Sequence, residues 1–320
     1  MILPAFALPF LLTAAPSAED LDRCRAIVDP AERLACYDAL AEQAPPGVKP
    51  PSLLEERWEL TPATEHGLFQ FRFYRPNYLL PAVVSDDVNE VPESPTRQST
   101  NPTPLPWKSV EAKFQLSFRT KVWKNLFGHN ADLWVGYSHE SFWQVYTAEA
   151  SRPFRETNYE PELVLALPTS YDVAGLRGRL LGFGIVHQSN GRAEPLSRSW
   201  NRVYVLVGLE RESFVLTLKP WFRVNEDASD DDNPDIVDYV GRGEVLAFWK
   251  LPKEHTLALR LRPTFEFSPS WGSAQLDWRF PVSRNSGGYV QAFTGHGESM
   301  IDYNFRKTSI GVGVVLGNWY

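Results

Sequence analysis

His187, Ser189 and Asn201 are the residues of this 320-residue chain whose types and spacing best fit a chemical task. They lie in Leu181-Gly-Phe-Gly-Ile-Val-His187-Gln-Ser189-Asn-Gly191-Arg192-Ala-Glu194-Pro-Leu-Ser197-Arg-Ser-Trp-Asn201-Arg-Val-Tyr-Val205. A serine hydroxyl becomes a useful nucleophile when a base takes its proton, and a third group keeps that base in the right tautomer. In an extended chain alternate residues share a face, so His187 and Ser189 fall in line with Leu181, Phe183 and Ile185, opposite Gly182 and Gly184. In the next extended run Asn201 lines up with Val203, Val205, Val207 and Leu209. A hairpin that sets His187 opposite Asn201 also sets Ser189 opposite Ser199. Opposed Cβ atoms are then about 5 Å apart and i, i+2 neighbours about 7 Å. The Asn201 carbonyl oxygen accepts from His187 Nδ1–H, leaving Nε2 for the Ser189 proton: the logic of acyl transfer. An asparagine in third place carries no charge, so it stabilises an imidazolium less than aspartate does. Asn190-Gly191 makes a turn, and the backbone N–H groups of Ser189 and Gly191 are candidate donors to an oxyanion. A His and a Ser two apart on a strand are also common without chemistry, so the surrounding elements decide the matter.

Those elements alternate. In Val110–Arg119 the even positions are Val, Ala, Phe, Leu and Phe, and the odd positions are Glu, Lys, Gln, Ser and Arg. The pattern recurs at 256–265, where Leu257, Leu259, Leu261 and Phe265 alternate with polar residues, at Leu276–Phe280, and at Ser309–Leu316. Further candidates are Phe69–Tyr78, Asp132–Val145, Glu162–Leu167, Leu181–Ser189, Trp200–Leu209, Phe214–Val224, Tyr239–Trp249 and Tyr289–Thr294, about twelve in all. No stretch after the amino-terminal one reaches the roughly 18 unbroken apolar residues of a membrane helix. A soluble β-sandwich alternates too. Segments of about ten residues with an unusually charged second face fit a transmembrane antiparallel β-barrel better, as does the even count. The expected class is therefore all-β, with the apolar faces, and hence the three polar residues, turned to lipid. There an unsatisfied polar group costs several kcal/mol and calls for a purpose. The 11 Trp and 12 Tyr suit interfacial girdles. A net charge of −7 supplies no basic footprint for nucleic acid.

Residues 1–15 read as a secretory signal with cleavage near 15–18, residues 16–60 as an amino-terminal extension, and residues 61–320 as the barrel. Within the extension Asp29-Pro30-Ala31-Glu32 is a helix start. Two short helices meeting there bring Cys24 and Cys36 face to face, and export favours a disulfide between them. Ala44–Pro51 is a Pro-rich linker, and Leu80–Trp107 should be a long loop. Hard cations need several oxygens, which Glu194 and the acidic run Glu226–Asp235 have to offer; a solvated loop tip explains that run equally well. His66, His129, His139, His255 and His296 have no ligand spacing.

His187-Gln-Ser189-Asn-Gly-Arg with Ser197-Arg-Ser-Trp-Asn201-Arg resembles the signature of the outer membrane phospholipase A family. The likeness extends to Ser151–Pro161, Lys219-Pro-Trp221, Asp231–Asp235 and Gly297–Phe305, within roughly Phe69 to Tyr320. It implies a twelve-stranded outer-membrane barrel, calcium-dependent and active as a homodimer, that cleaves acyl esters of phospholipids and lysophospholipids. It places the catalytic Ser, His and Asn on Ser189, His187 and Asn201. It implies calcium beside the oxyanion, held by the backbone oxygen of Arg192, the hydroxyl of Ser197 and Ser151 of a second copy. A second calcium position in the single subunit is implied for two carboxylates, matching Asp232 and Glu194. A non-catalytic pore and a soluble secreted esterase are the rival readings.

Overall fold

The structure, a computed structural model, describes residues 18–43, 50–98, 103–126, 128, 130–264, 272–283 and 286–317. The expected signal (1–15), His129 and Phe265 lie outside them. The chain divides into two compact units, Met1–Pro51 and Ser52–Tyr320. In the first, helices α1 (Ala18–Arg25) and α2 (Pro30–Gln43) are joined by the Cys24–Cys36 disulfide, with Cα atoms 5.6 Å apart. Asp29 Oδ1 accepts from the backbone N–H groups of Ala31 and Glu32 at 2.9 and 3.0 Å, which starts α2 where its cap predicts.

The second unit opens with α3 (Leu53–Trp58) and a two-residue strand β1 (Arg72–Phe73). Twelve barrel strands follow: β2 (Asn77–Ser85), β3 (Val110–Leu126), β4 (Ala131–Trp143), β5 (Phe154–Val173), β6 (Leu176–Ser189) and β7 (Ser199–Arg211). The rest are β8 (Phe214–Val224), β9 (Gly243–Lys250), β10 (Thr256–Pro263), β11 (Gly272–Pro281), β12 (Ser286–His296) and β13 (Arg306–Leu316). Each pairs antiparallel with its neighbours in sequence, and β13 pairs with β2, so the sheet closes on itself and no edge is exposed.

The wall is inside-out relative to a soluble protein. Lys113 and Arg119 on β3 are 1 % and 2 % exposed, while Leu116 and Phe118 between and beside them are 51 % and 39 % exposed. A soluble sandwich would bury the leucines and wet the lysines; only a hydrocarbon surround makes this arrangement favourable. Arg119 donates to the Arg57 carbonyl and lies over the Trp58 and Trp134 rings, and other inward charges have counter-charges. Lys113 lies 3.2 Å from Glu140 and 3.4 Å from Glu298, Lys219 lies 3.0 Å from Glu162, and Arg155 is held by Glu111 and Asp302. This network crosses the lumen, where two cavities of about 50 and 60 Å³ lie among its charged side chains.

Hairpin turns are short at one end of the barrel and loops long at the other. At the short-turn end α3 closes the lumen. Ser52 caps it, Leu54 and Trp58 are buried, and the Leu54 N–H donates to Glu210 at 2.9 Å. Trp58 meets Trp134 and Tyr74 edge to face. Inward Gly208 makes room, since a Cβ there would lie 3.0 Å from Leu54.

Three sequence expectations shift. The compact unit starts at Ser52, so α3 goes with the barrel and not with the extension. The segment Phe69–Tyr78 holds only the short β1 and the first two residues of β2, which runs on into the expected loop, so the loop proper starts after Ser85. Pro81 hides β2: a proline lacks the ladder N–H, and the pairing of β2 with β3 slips between Leu80 and Val83 to accommodate it. Tyr239 lies in the helical turn α4 (Ile236–Val240), and its strand begins at Gly243.

Candidate active site

The β6–β7 hairpin has the register that the sequence predicts: His187 opposes Asn201 and Ser189 opposes Ser199. Inward Gly184 permits the close packing behind the site, because a Cβ there would collide with the Tyr204 ring at 2.2 Å. That ring's hydroxyl donates to Glu162 at 2.7 Å, so the inner face of the hairpin is anchored to the lumen network. The outer face carries Phe183, Ile185 and then His187, all exposed, with Ser189 half-buried at the strand's end.

His187 Nδ1 and Asn201 Oδ1 are 2.9 Å apart. An amide oxygen only accepts, so this contact puts the proton on Nδ1 and leaves Nε2 as the basic nitrogen. The Asn201 Nδ2 group in turn donates to Glu226 Oε1 at 3.0 Å. Glu226 lies in the loop after β8; burial raises its pKa, against the smaller opposing pulls of Asn201 and Arg223. Its hydrogen bond fixes which way the Asn201 amide points, and so keeps Oδ1 on the imidazole. The sequence placed Glu226 in an acidic run without linking it to Asn201, because only the β7–β8 pairing, Asn201 opposite Val224, brings them together.

Beyond Ser189 the loop 190–198 is organised by buried Asn190, whose Oδ1 accepts from Arg198 N at 2.9 Å and Arg192 N at 3.3 Å. Its Nδ2 donates to Leu196 O at 2.8 Å. Gly191 sits at φ +63°, where a side chain is strained and a Cβ would come within 3.1 Å of the Tyr159 ring. Arg192 pairs with Glu156 at 3.2 Å and also donates to Phe154 O at 3.1 Å, which pins the loop to the start of β5. Ser197 donates to Asp232 Oδ2 at 2.6 Å. Ser151 is exposed on the loop between β4 and β5.

The Arg192 backbone carbonyl and the Ser197 hydroxyl are both neutral oxygens, the donor type a hard cation takes. Two such donors fall well short of the six to eight that calcium needs, and suit a site completed from outside the subunit. Glu194 and Asp232 behave otherwise. Arg97 lies between them, with Nε 2.7 Å from Asp232 Oδ1 and a terminal nitrogen 3.3 Å from Glu194 Oε1. That pair does not fit a metal ion.

Residues 54–316 match the family model described as Phospholipase A1. The chain belongs to the phospholipase A1 family. The match starts at residue 54, so it takes in α3, ahead of the Phe69 start that the sequence motifs mark. The Salmonella typhimurium phospholipase A1 is 37 % identical over 245 residues, 77 % of this chain and 81 % of that protein. A longer relative from Neisseria meningitidis serogroup B is 39 % identical over 256 residues, 79 % of this chain and 66 % of that one. Among solved structures, the Salmonella typhi outer membrane phospholipase, a dimer with bound calcium, superposes with TM-score 0.72. It is 34 % identical over 84 % of this chain and 98 % of that one. The Escherichia coli outer membrane phospholipase A, solved as an active-site mutant with alanine for asparagine, gives 0.68 at 34 % identity over 80 % of this chain and 95 % of that one. Family and fold together make this an outer-membrane β-barrel enzyme that hydrolyses phospholipid esters. In such barrels the long loops face outward and the short turns face the periplasm. The His187–Asn201 pair therefore lies toward the cell exterior and α3 toward the periplasm.

Proposed function

We propose that the protein hydrolyses acyl esters of phospholipids and lysophospholipids in the outer membrane by a Ser189–His187–Asn201 triad, as a calcium-dependent homodimer. The observation that carries this reading is the 2.9 Å contact between His187 Nδ1 and Asn201 Oδ1, with Ser189 two residues on along the same lipid-facing edge.

His187 Nε2 takes the Ser189 proton as the hydroxyl attacks the ester carbonyl, then returns it to the leaving glycerol oxygen. An acyl-enzyme forms, and water activated by the same imidazole releases the fatty acid. Backbone N–H groups of Ser189 and Gly191 are the candidate donors to the oxyanion. Asn201 carries no charge of its own, and Glu226 behind it supplies a negative charge one residue removed. The asparagine in the E. coli active-site mutant supports an asparagine in this role.

The bound calcium of the Salmonella typhi dimer supports assigning a cation to the Arg192 carbonyl and the Ser197 hydroxyl, completed by Ser151 from a second copy. When bound, it would act as a Lewis acid beside the oxyanion. Dimerisation has a physical rationale in the wall itself. Below His187 on the lipid face lies a shallow hollow of about 410 Å³, lined by Leu163, Leu165, Phe183, Ile185, Val203 and Phe222. Open on one side, it cannot enclose an acyl chain; a second wall set against it can.

The test is fatty-acid release from phospholipid–detergent micelles, with calcium or chelator, for wild type and Ser189→Ala. Calcium-dependent release that vanishes in the variant is the expected result. A folded, dimeric wild type with calcium that releases nothing overturns the reading.

A further inference from the structure

The loop between β2 and β3 reaches across the mouth of the barrel and inserts one cation among the oxygens of two other loops. A turn at Ser94–Arg97 docks on the acidic loop after β8: Ser94 Oγ donates to Asp232 O at 2.6 Å, and Thr96 Oγ1 donates to Asp231 O at 2.6 Å. The turn delivers the Arg97 guanidinium to Asp232 Oδ1 (2.7 Å), Ser229 O (3.3 Å) and Glu194 Oε1 (3.3 Å). Ser197 Oγ takes the remaining Asp232 oxygen. The side chains of Arg97 and Asp232 are only 12 % and 9 % exposed, so this is a largely desolvated ion pair and not a surface contact.

A hard divalent cation at Glu194 and Asp232 would need these oxygens. Of the carboxylate oxygens, Asp232 Oδ1 and Glu194 Oε1 face the Arg97 guanidinium, and Asp232 Oδ2 accepts from Ser197. Among the described residues no group of three or more acidic, histidine or cysteine side chains is set to hold a metal. A calcium ion held by these carboxylates would displace Arg97 from both and Ser197 from one, and would meet Arg97 at close range as a like charge.

We propose that Arg97 is a built-in cation that replaces metal between Glu194 and Asp232, so that the single subunit binds no calcium there. Glu194, one methylene longer than aspartate, reaches the guanidinium from the far side, and the loops that carry Ser197 and Asp232 are tied to the β2–β3 loop without any ion. Calcium then acts on this chain through one class of site, the one involving Arg192 and Ser197.

The experiment is thermal unfolding of the purified full-length protein in detergent micelles, kept monomeric, with chelator or with saturating calcium. The quantity read is the part of the calcium-induced rise in Tm that Asp232→Asn abolishes. It is absent in wild type and in Arg97→Lys, and in Arg97→Met it becomes a rise of roughly 5–10 °C at a hundredfold excess over Kd. A wild-type calcium shift that Asp232→Asn removes overturns the proposal, and this arm stands even where Arg97→Met does not fold. A folded Arg97→Met barrel with no Asp232-dependent shift overturns it as well. The readout needs no catalysis, so it is independent of the ester-hydrolysis mechanism above.

Discussion

The β6–β7 hairpin carries polar groups on both faces, and the two sets differ in what their hydrogen bonds are for. Inside the barrel, Tyr204, Lys219 and Glu162 satisfy one another, and the neighbouring Glu160 is held by Arg75 and Arg202. There each charge is cancelled by the next, which is the condition for burying it at all. Outside, the chain Glu226–Asn201–His187 runs in one direction only and ends on a ring nitrogen with basic capacity to spare. A closed network gives rigidity; an open-ended one can move a proton.

If that contrast is right, substitutions on the two faces should separate catalysis from stability. Ser189→Ala should lower fatty-acid release by about a thousandfold or more while leaving the unfolding midpoint unchanged. Asn201→Ala should cost about 10- to 100-fold in kcat, the worth of an orienting hydrogen bond to a charged ring, at nearly constant KM. Glu226→Ala should cost about tenfold, since it releases the amide that aims Asn201. Glu162→Ala, on the lumen side, should leave turnover per folded molecule unaltered yet destabilise the barrel by about 3–5 kcal/mol in a denaturant titration, because Lys219 stays buried without its partner. Equal activity losses on both faces would dissolve the distinction.

The pH dependence sharpens it further. Burial raises the Glu226 pKa, so the fold prefers its neutral form: its contribution to stability is largest at low pH and fades as pH rises through its native value. The ionised form that best holds the Asn201 amide therefore takes over at a higher pH than it would for a free glutamate. The acid limb of kcat should contain a component from this group, and Glu226→Gln should remove that component from the pH profile.

Period-two patterning made the barrel readable, and it made the site readable too. Once Leu181, Phe183 and Ile185 define a face, His187 and Ser189 have nowhere else to point, and one hairpin register brings Asn201 opposite. What stayed hidden depends on contacts between loops. Pro81 masked β2 because its ladder position is rescued by a bulge contributed partly by other strands. The plug role of Leu54 and Trp58 was invisible because a six-residue helix is too short to declare a buried face. Arg97 lies in a proline-rich run with no periodicity, and its partners are about a hundred residues or more away in sequence.

The His187–Ser189 edge lies on the lipid-facing side of the wall, which changes what concentration means for this protein. Its substrate does not arrive from a volume but from a sheet two molecules thick, and encounter depends on the fraction of that sheet that is phospholipid. Adding inert detergent to mixed micelles at fixed total phospholipid should therefore slow the reaction by surface dilution, although the bulk molarity has not changed.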